Sequence, residues 1–161
     1  MSWIEHVHPD TDAFAEALAQ ALEAEIRVGL ATRGRAVLAL AGGRTPLAAY
    51  GRLATAALPW SKVAVLATDE RWVGHDHLAC NGRALGEAFA AAGNRRILPL
   101  TPPTAGTRVS AEVALATLAG VAEPFDAVLL GMGEDGHVAS LFPGAAELTA
   151  GLDPHHPADA L

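Results

Sequence analysis

Apolar residues recur along this chain with two alternating periods. Between Asp10 and Gly34 they return every four residues, at Phe14, Leu18, Leu22 and Ile26, which is the face of an amphipathic helix of about five turns. Asp10, Thr11 and Asp12 precede it as candidate N-caps. Short continuous apolar runs at Val37–Ala41, Lys62–Thr68 and Ala127–Leu130 suit strands buried in a parallel sheet. Trp3 to His8 alternates apolar with polar and predicts a short first strand ended by Pro9, and Ile97–Leu100 predicts another short strand. Helices are expected after Pro46 (Leu47, Tyr50, Leu53), over Asn81–Ala92 with Leu85 and Phe89 on one face, and over Val109–Val121. Thr101–Thr107 reads as a proline-bearing loop, Ala145–Ala150 as one or two helical turns, and Gly151–Leu161 as a tail exposing His155 and His156. Strands alternating with helices specify an α/β fold, a Rossmann-like open, mainly parallel sheet with helices on both faces.

Three junctions in this pattern carry chemistry. The strand at Ala127–Leu130 runs into Gly131, Gly133 and Gly136, and directly after them stands His137. Glycines let the backbone turn tightly and approach a ligand closely, and ligands of open α/β sheets bind at the carboxyl ends of strands. The spacing also satisfies Gly-x-Gly-x-x-Gly. A dinucleotide site is disfavoured, because Pro143 stops any helix within two turns and the motif comes late in the chain. After Val37–Ala41 comes Gly42-Gly43-Arg44-Thr45-Pro46, where Thr45 is expected to cap the next helix with Pro46 at its first position. Backbone N–H groups and the Arg44 guanidinium there make a candidate phosphate site. After Lys62–Thr68 come Asp69, Glu70 and Arg71, and then Asn81. Arg71 is a candidate pocket wall, with pairing to Asp69 or Glu70 as the bland alternative. Parallel strands place all three loops on one edge, so residues 43–45, 69–71 and 133–137 are expected to converge.

The totals narrow the class. At 161 residues the chain is read as one domain, 1–161, able to bury a core without staples. Its net charge of −7 argues against nucleic acid or an anionic membrane as main partner. The single cysteine, Cys80, cannot pair internally and has no basic neighbour to activate it. His75-Asp76-His77 is not expected to hold zinc, since alternate side chains point apart, and His6 with His8 make a poor metal case. No metal site is expected. Without a secretory or membrane-spanning apolar run, the reading is a cytoplasmic protein.

Ala41-Gly42-Gly43-Arg44-Thr45-Pro46, Asp69-Glu70-Arg71 with Asn81, and the long run Leu130–Gly144 together resemble the 6-phosphogluconolactonase family, within the group that includes glucosamine-6-phosphate deaminases. The resemblance implies hydrolysis of 6-phosphoglucono-δ-lactone to 6-phosphogluconate in the pentose phosphate pathway, without a cofactor. It implies that His137 is the base that activates water and returns the proton, and that Arg71 stabilises charge or grips substrate. An imidazole, ordinarily titrating near about 6.5, suits both transfers. Gly42, Gly43, Arg44 and Thr45 would hold the phosphate end, with Asp69, Asn81, Gly133, Asp135 and Gly136 completing the site. Asp135 or Glu134 would orient the imidazole.

Ala41, Gly74, Cys80 and Val138 depart from the family's usual serine, proline, serine and threonine. Family members continue beyond this length with a further strand, a helix and a basic phosphate-binding residue, so a truncated product, a fragment or a form completed by a partner is expected. A sheet short of a strand leaves an edge for self-association. The alternatives to lactonase are a non-catalytic sugar-phosphate-binding remnant and an amino-sugar phosphate deaminase or isomerase. The related deaminases carry Asn-Gly-His-Ile-Ala-Phe-Asn where this chain has Asp135-Gly136-His137-Val138-Ala139-Ser140-Leu141.

Overall fold

A computed structural model describes residues 4–106, 109–121, 124–153 and 155. Helix α1 covers Thr11–Arg33; of the three candidate caps Asp10 is the one used, its side chain accepting from the Ala13 amide at 2.8 Å. Gly34 ends the helix at φ 72°, its N–H donating to the Leu30 carbonyl, a left-handed cap that suits glycine. Next come β1 (Ala36–Leu40), α2 (Leu47–Leu53), β2 (Val63–Ala67), α3 (Asn81–Ala88), β3 (Arg96–Leu98), α4 (Glu112–Ala119), β4 (Ala127–Leu129) and α5 (Leu148–Gly151).

The sheet order is β3-β2-β1-β4 and every pairing is parallel, with Leu38 beside both Val65 and Ala127. Alternate strand residues feed two cores. Ala36, Leu38, Leu40, Val63, Val65 and Ala67 pack with α1, α2 and α3 on one face. Val37, Ala39, Ala64 and Leu66 meet Leu118 of α4, Val121 and Phe125 on the other. The chain therefore winds outward from β1 to β3, then returns across α4 to β4 on β1's other side. That reversal makes the carboxyl ends of β1 and β4 a topological switch point, the usual binding crevice of such sheets.

Several expectations change. Ile4 to His8 is no strand, and Ile4 and Val7 are 76% and 83% exposed; alternation supplies a pattern, but a strand also needs a neighbour, and this segment pairs with none of the four described strands. Trp3, Thr107, His156 and the residues after it lie outside the described residues. Thr45 does not cap α2. Pro46 stands in the cap position in helical conformation, without a side-chain cap bond, because a turn closed by the Leu47 amide on the Arg44 carbonyl starts the helix instead. The Asn81–Ala92 helix stops at Ala88 and continues as a short 3₁₀ turn over Ala90–Ala92. Strand β3 begins one residue early and ends two early, α4 is shorter than Val109–Val121, and α5 begins only at Leu148. Strand β4, expected to be buried, is an edge strand with Val128 55% exposed. Its apolar composition predicts burial on both faces, whereas only its β1 side and its Leu129 face are covered.

One buried carboxylate ties the far end of the sheet. Asp126 accepts from the Val37 amide at 2.8 Å and pairs with Arg33, while Gly29 of α1 lies against it. A Cβ at Gly29 would overlap the Asp126 carboxylate. Gly29→Ala is therefore expected to destabilise the fold by about 1–2 kcal/mol in denaturant unfolding, overpacking outweighing the gain in helix propensity. Equal or greater stability would show that Asp126 is free to move.

Candidate active site

A cavity of about 350 Å³ opens at the carboxyl edge between β1 and β4. Gly42, Gly43, Arg44, Thr45, Asp69, Arg71, Asn81, Gly133 and His137 all line it. The three loops expected to converge do so. Asp135 and Gly136 sit behind the wall rather than in it, Asp135 touching His137 and Gly136 forming the turn between them at φ 83°.

The histidine is held from three sides. Its Nδ1 and Asp135 Oδ1 are 2.5 Å apart, its ring stacks on Phe142 with centroids 4.7 Å apart, and its backbone carbonyl accepts from the Gly133 amide at 2.9 Å. With Nδ1–H donated to Asp135, Nε2 remains as the acceptor. This hydrogen bond from His137 holds the Asp135 carboxyl below the usual carboxylate range. Glu134, the other candidate for this contact, makes none with the ring among the described residues. Gly133 is required by close approach, since a Cβ there would overlap His137 Cε1 and Nδ1.

In the same cavity, the Arg71 guanidinium donates from Nη1 to Asn81 Oδ1 and to the Ala79 carbonyl at 3.4 Å. It pairs with neither Asp69 nor Glu70, so the bland alternative is not realised and the cation keeps its charge for the cavity. Asn81 is 2% exposed, and its amide nitrogen donates to the Asp69 carbonyl at 2.8 Å. Gly42 makes room for it, as a Cβ there would overlap the Asn81 amide. Gly43 follows at φ 88°, beyond the reach of most side-chain-bearing residues. Two supports escaped sequence reasoning. Tyr50 of α2, fully buried, donates its hydroxyl to the Ala41 carbonyl at 2.9 Å and anchors the start of the glycine loop; burial pushes that phenol up. Ser140 Oγ donates to Asp69 Oδ2 at 3.4 Å, linking the histidine loop to the arginine loop. Neither sits at a telling sequence spacing, because both contacts span folded elements.

The remaining polar candidates are occupied locally. His75 Nε2 lies 2.8 Å from the Thr101 carbonyl, and His77 Nδ1 accepts from the Ala79 amide at 3.1 Å. Cys80 is buried as the cap of α3, and burial pushes its thiol up. Among the described residues no three His, Cys, Asp or Glu side chains gather in a way that could hold a metal ion.

Residues 9–158 match the family described as glucosamine-6-phosphate isomerases/6-phosphogluconolactonase. The chain belongs to this family. It is 38% identical over 154 residues to a 6-phosphogluconolactonase of Rhizobium meliloti, covering 94% of this chain and 66% of that protein. A 6-phosphogluconolactonase of Pseudomonas putida is 37% identical, with 92% and 62% covered. Among solved structures, a 6-phosphogluconolactonase from Shewanella baltica superposes with TM-score 0.85 at 33% identity, covering 92% of this chain and 65% of that one. The chain thus spans just under two thirds of the length of these three relatives. The family's α/β sheet, with helices on both faces, is the one described above.

Proposed function

We propose that this chain carries the hydrolysis of 6-phospho-D-glucono-1,5-lactone to 6-phospho-D-gluconate in the pentose phosphate pathway, within the cytoplasm. The observation that carries the reading is one cavity lined both by His137, backed by Asp135, and by the Arg71 guanidinium, which among the described residues pairs with no carboxylate. Water attacks the lactone carbonyl carbon while His137 Nε2 takes its proton, and the carbonyl oxygen gains negative charge. Arg71 stabilises that charge. The bond from the carbonyl carbon to the ring oxygen then breaks, and the imidazolium returns its proton to that oxygen. The substrate's phosphate lies toward Gly42, Gly43, Arg44 and Thr45, whose backbone N–H groups and single cation supply the donors. No step needs a cofactor.

The test is the initial rate on freshly made lactone, corrected for spontaneous opening. Turnover above the spontaneous rate supports the reading. Binding of 6-phosphogluconate without turnover would instead support a sugar-phosphate-binding remnant. The Asp135-Gly136-His137-Val138-Ala139-Ser140-Leu141 run favours the lactonase over a deaminase or isomerase.

The acidic balance, 18 Asp and Glu against 11 Lys and Arg, supports a small-molecule substrate rather than nucleic acid. Among the described residues no helix is long and apolar enough to cross a membrane. We infer self-association through the outer edge of β4. Among the described residues no strand pairs with that edge, and Val128 and Leu130 beside it are 55% and 56% exposed. Sedimentation velocity is expected to show a mass that grows with concentration and falls to monomer in Val128→Lys. A single monomer species throughout would rule this out.

A further inference from the structure

We propose that Glu70 is the positioning residue for Arg71, acting through the N-terminus of α3 and through Asn81. This inference rests on the reading that Arg71 stabilises charge on the lactone carbonyl. Glu70 does not line the 350 Å³ cavity. It lies behind Arg71 against a separate cavity of about 250 Å³, with His75, Cys80 and Arg83. Its effect on substrate must therefore pass through other side chains.

The carboxylate closes the loop that carries Arg71. Oε1 accepts from the backbone N–H of Arg71 at 2.8 Å and of Asn81 at 2.7 Å. Oε2 accepts from the Gly82 amide at 2.7 Å and from the Cys80 thiol at 3.3 Å. One side chain thus binds the backbone of residue 71 and the first turn of α3, where unpaired N–H groups and the helix dipole favour a negative charge. Asn81, fixed by that turn and by Asp69, in turn accepts from the Arg71 guanidinium. The chain of contact runs from carboxylate to helix start to amide to guanidinium. Arg71 gains a fixed direction while, among the described residues, its guanidinium pairs with no carboxylate.

Chemistry dictates a carboxylate here. Four donors converge on two oxygens, two on each. Glutamine offers one oxygen, and its NH₂ would face two donors. Glu70→Gln is therefore expected to release one end of the loop and let the guanidinium swing, while leaving the phosphate loop intact.

The experiment is a double-mutant cycle with a substrate-free readout. Glu70→Gln should lower kcat by roughly 10- to 100-fold with KM within about threefold, the scale of a misplaced catalytic group. In an Arg71→Ala background the same change should cost less than about twofold, because the residue it positions is gone. Equal losses in both backgrounds, or no loss in either, would overturn the inference. ¹⁵N relaxation of the Arg71 Nε–H, measured without substrate, should show an ordered side chain in the wild type and a mobile one in Glu70→Gln. An unchanged order would overturn the inference even if lactone is never turned over, so the two readings fail separately. Glu70→Asp, which keeps both oxygens on a shorter arm, replaces Glu70→Gln if that variant does not fold, with the same directions expected.

Discussion

His137→Ala is expected to lower turnover of 6-phosphogluconolactone by about 10² to 10⁴, the contribution of a positioned general base, while leaving the affinity for 6-phosphogluconate within a few-fold of wild type. Among the described residues lining the cavity, His137 is the one imidazole, and with Nδ1–H donated to Asp135 its Nε2 carries a lone pair. Asp135 engages Nδ1 and leaves Nε2 to accept a proton, and Phe142 stacks on the ring. Removing the ring leaves Arg71 and the glycine loop in place, so binding survives and proton transfer does not. Initial rates with calorimetry of product binding separate the two effects. A variant that keeps wild-type turnover would move the base elsewhere.

On the proposed mechanism, Gly133→Ala is expected to cost a comparable factor, about 10² or more, by displacing the proposed base without deleting it. The added Cβ would overlap Cε1 and Nδ1 of His137 and stand 2.8 Å from Asp135 Oδ1. Gly133 does not occupy the left-handed region, so the alanine backbone is unstrained and the ring is what must move. Gly136 provides the contrast. At φ 83° it has open space where a Cβ would go, so Gly136→Ala strains the backbone and lowers stability by about 1 kcal/mol. Loss of activity at unchanged melting temperature therefore marks Gly133→Ala.

Asp135 supplies a second check. In the wild type its carboxyl titrates below the usual aspartate range because His137 donates to it. The paired form is thus present above the unfolded value and is lost as pH falls through the lowered folded value. In Gly133→Ala and His137→Ala the carbon-detected titration of Asp135 should move up toward the ordinary range. A titration that stays low in both would assign the shift to another donor.

Much of this architecture is legible in local pattern. Phe14, Leu18, Leu22 and Ile26 mark α1, Gly34 ends it, and the runs at Val37 and Val63 become β1 and β2 within a residue or so. Local signals fail where a partner across space decides. Ile4 to His8 alternates correctly yet joins no strand, and Val128 reads as core yet lies on an edge. Thr45 is a good cap residue, but the turn at Arg44 starts the helix first. Glu70 shows the same limit within the site. Next to Arg71 in sequence it resembles an ion-pair partner, and only the return of the chain at Asn81 and Gly82 reveals what its oxygens accept.

By itself, the order of residues determined the alternation of strand and helix, and with it the gathering of three loops on one edge, since parallel strands all end on the same side. It also placed glycines where a backbone must turn or yield space. Only tertiary structure decided which groups touch. Hydrogen bonds act over about 3 Å, and the contacts between Asn81 and Arg71, Ser140 and Asp69, and Tyr50 and Ala41 join residues whose separation in sequence says nothing about their separation in space.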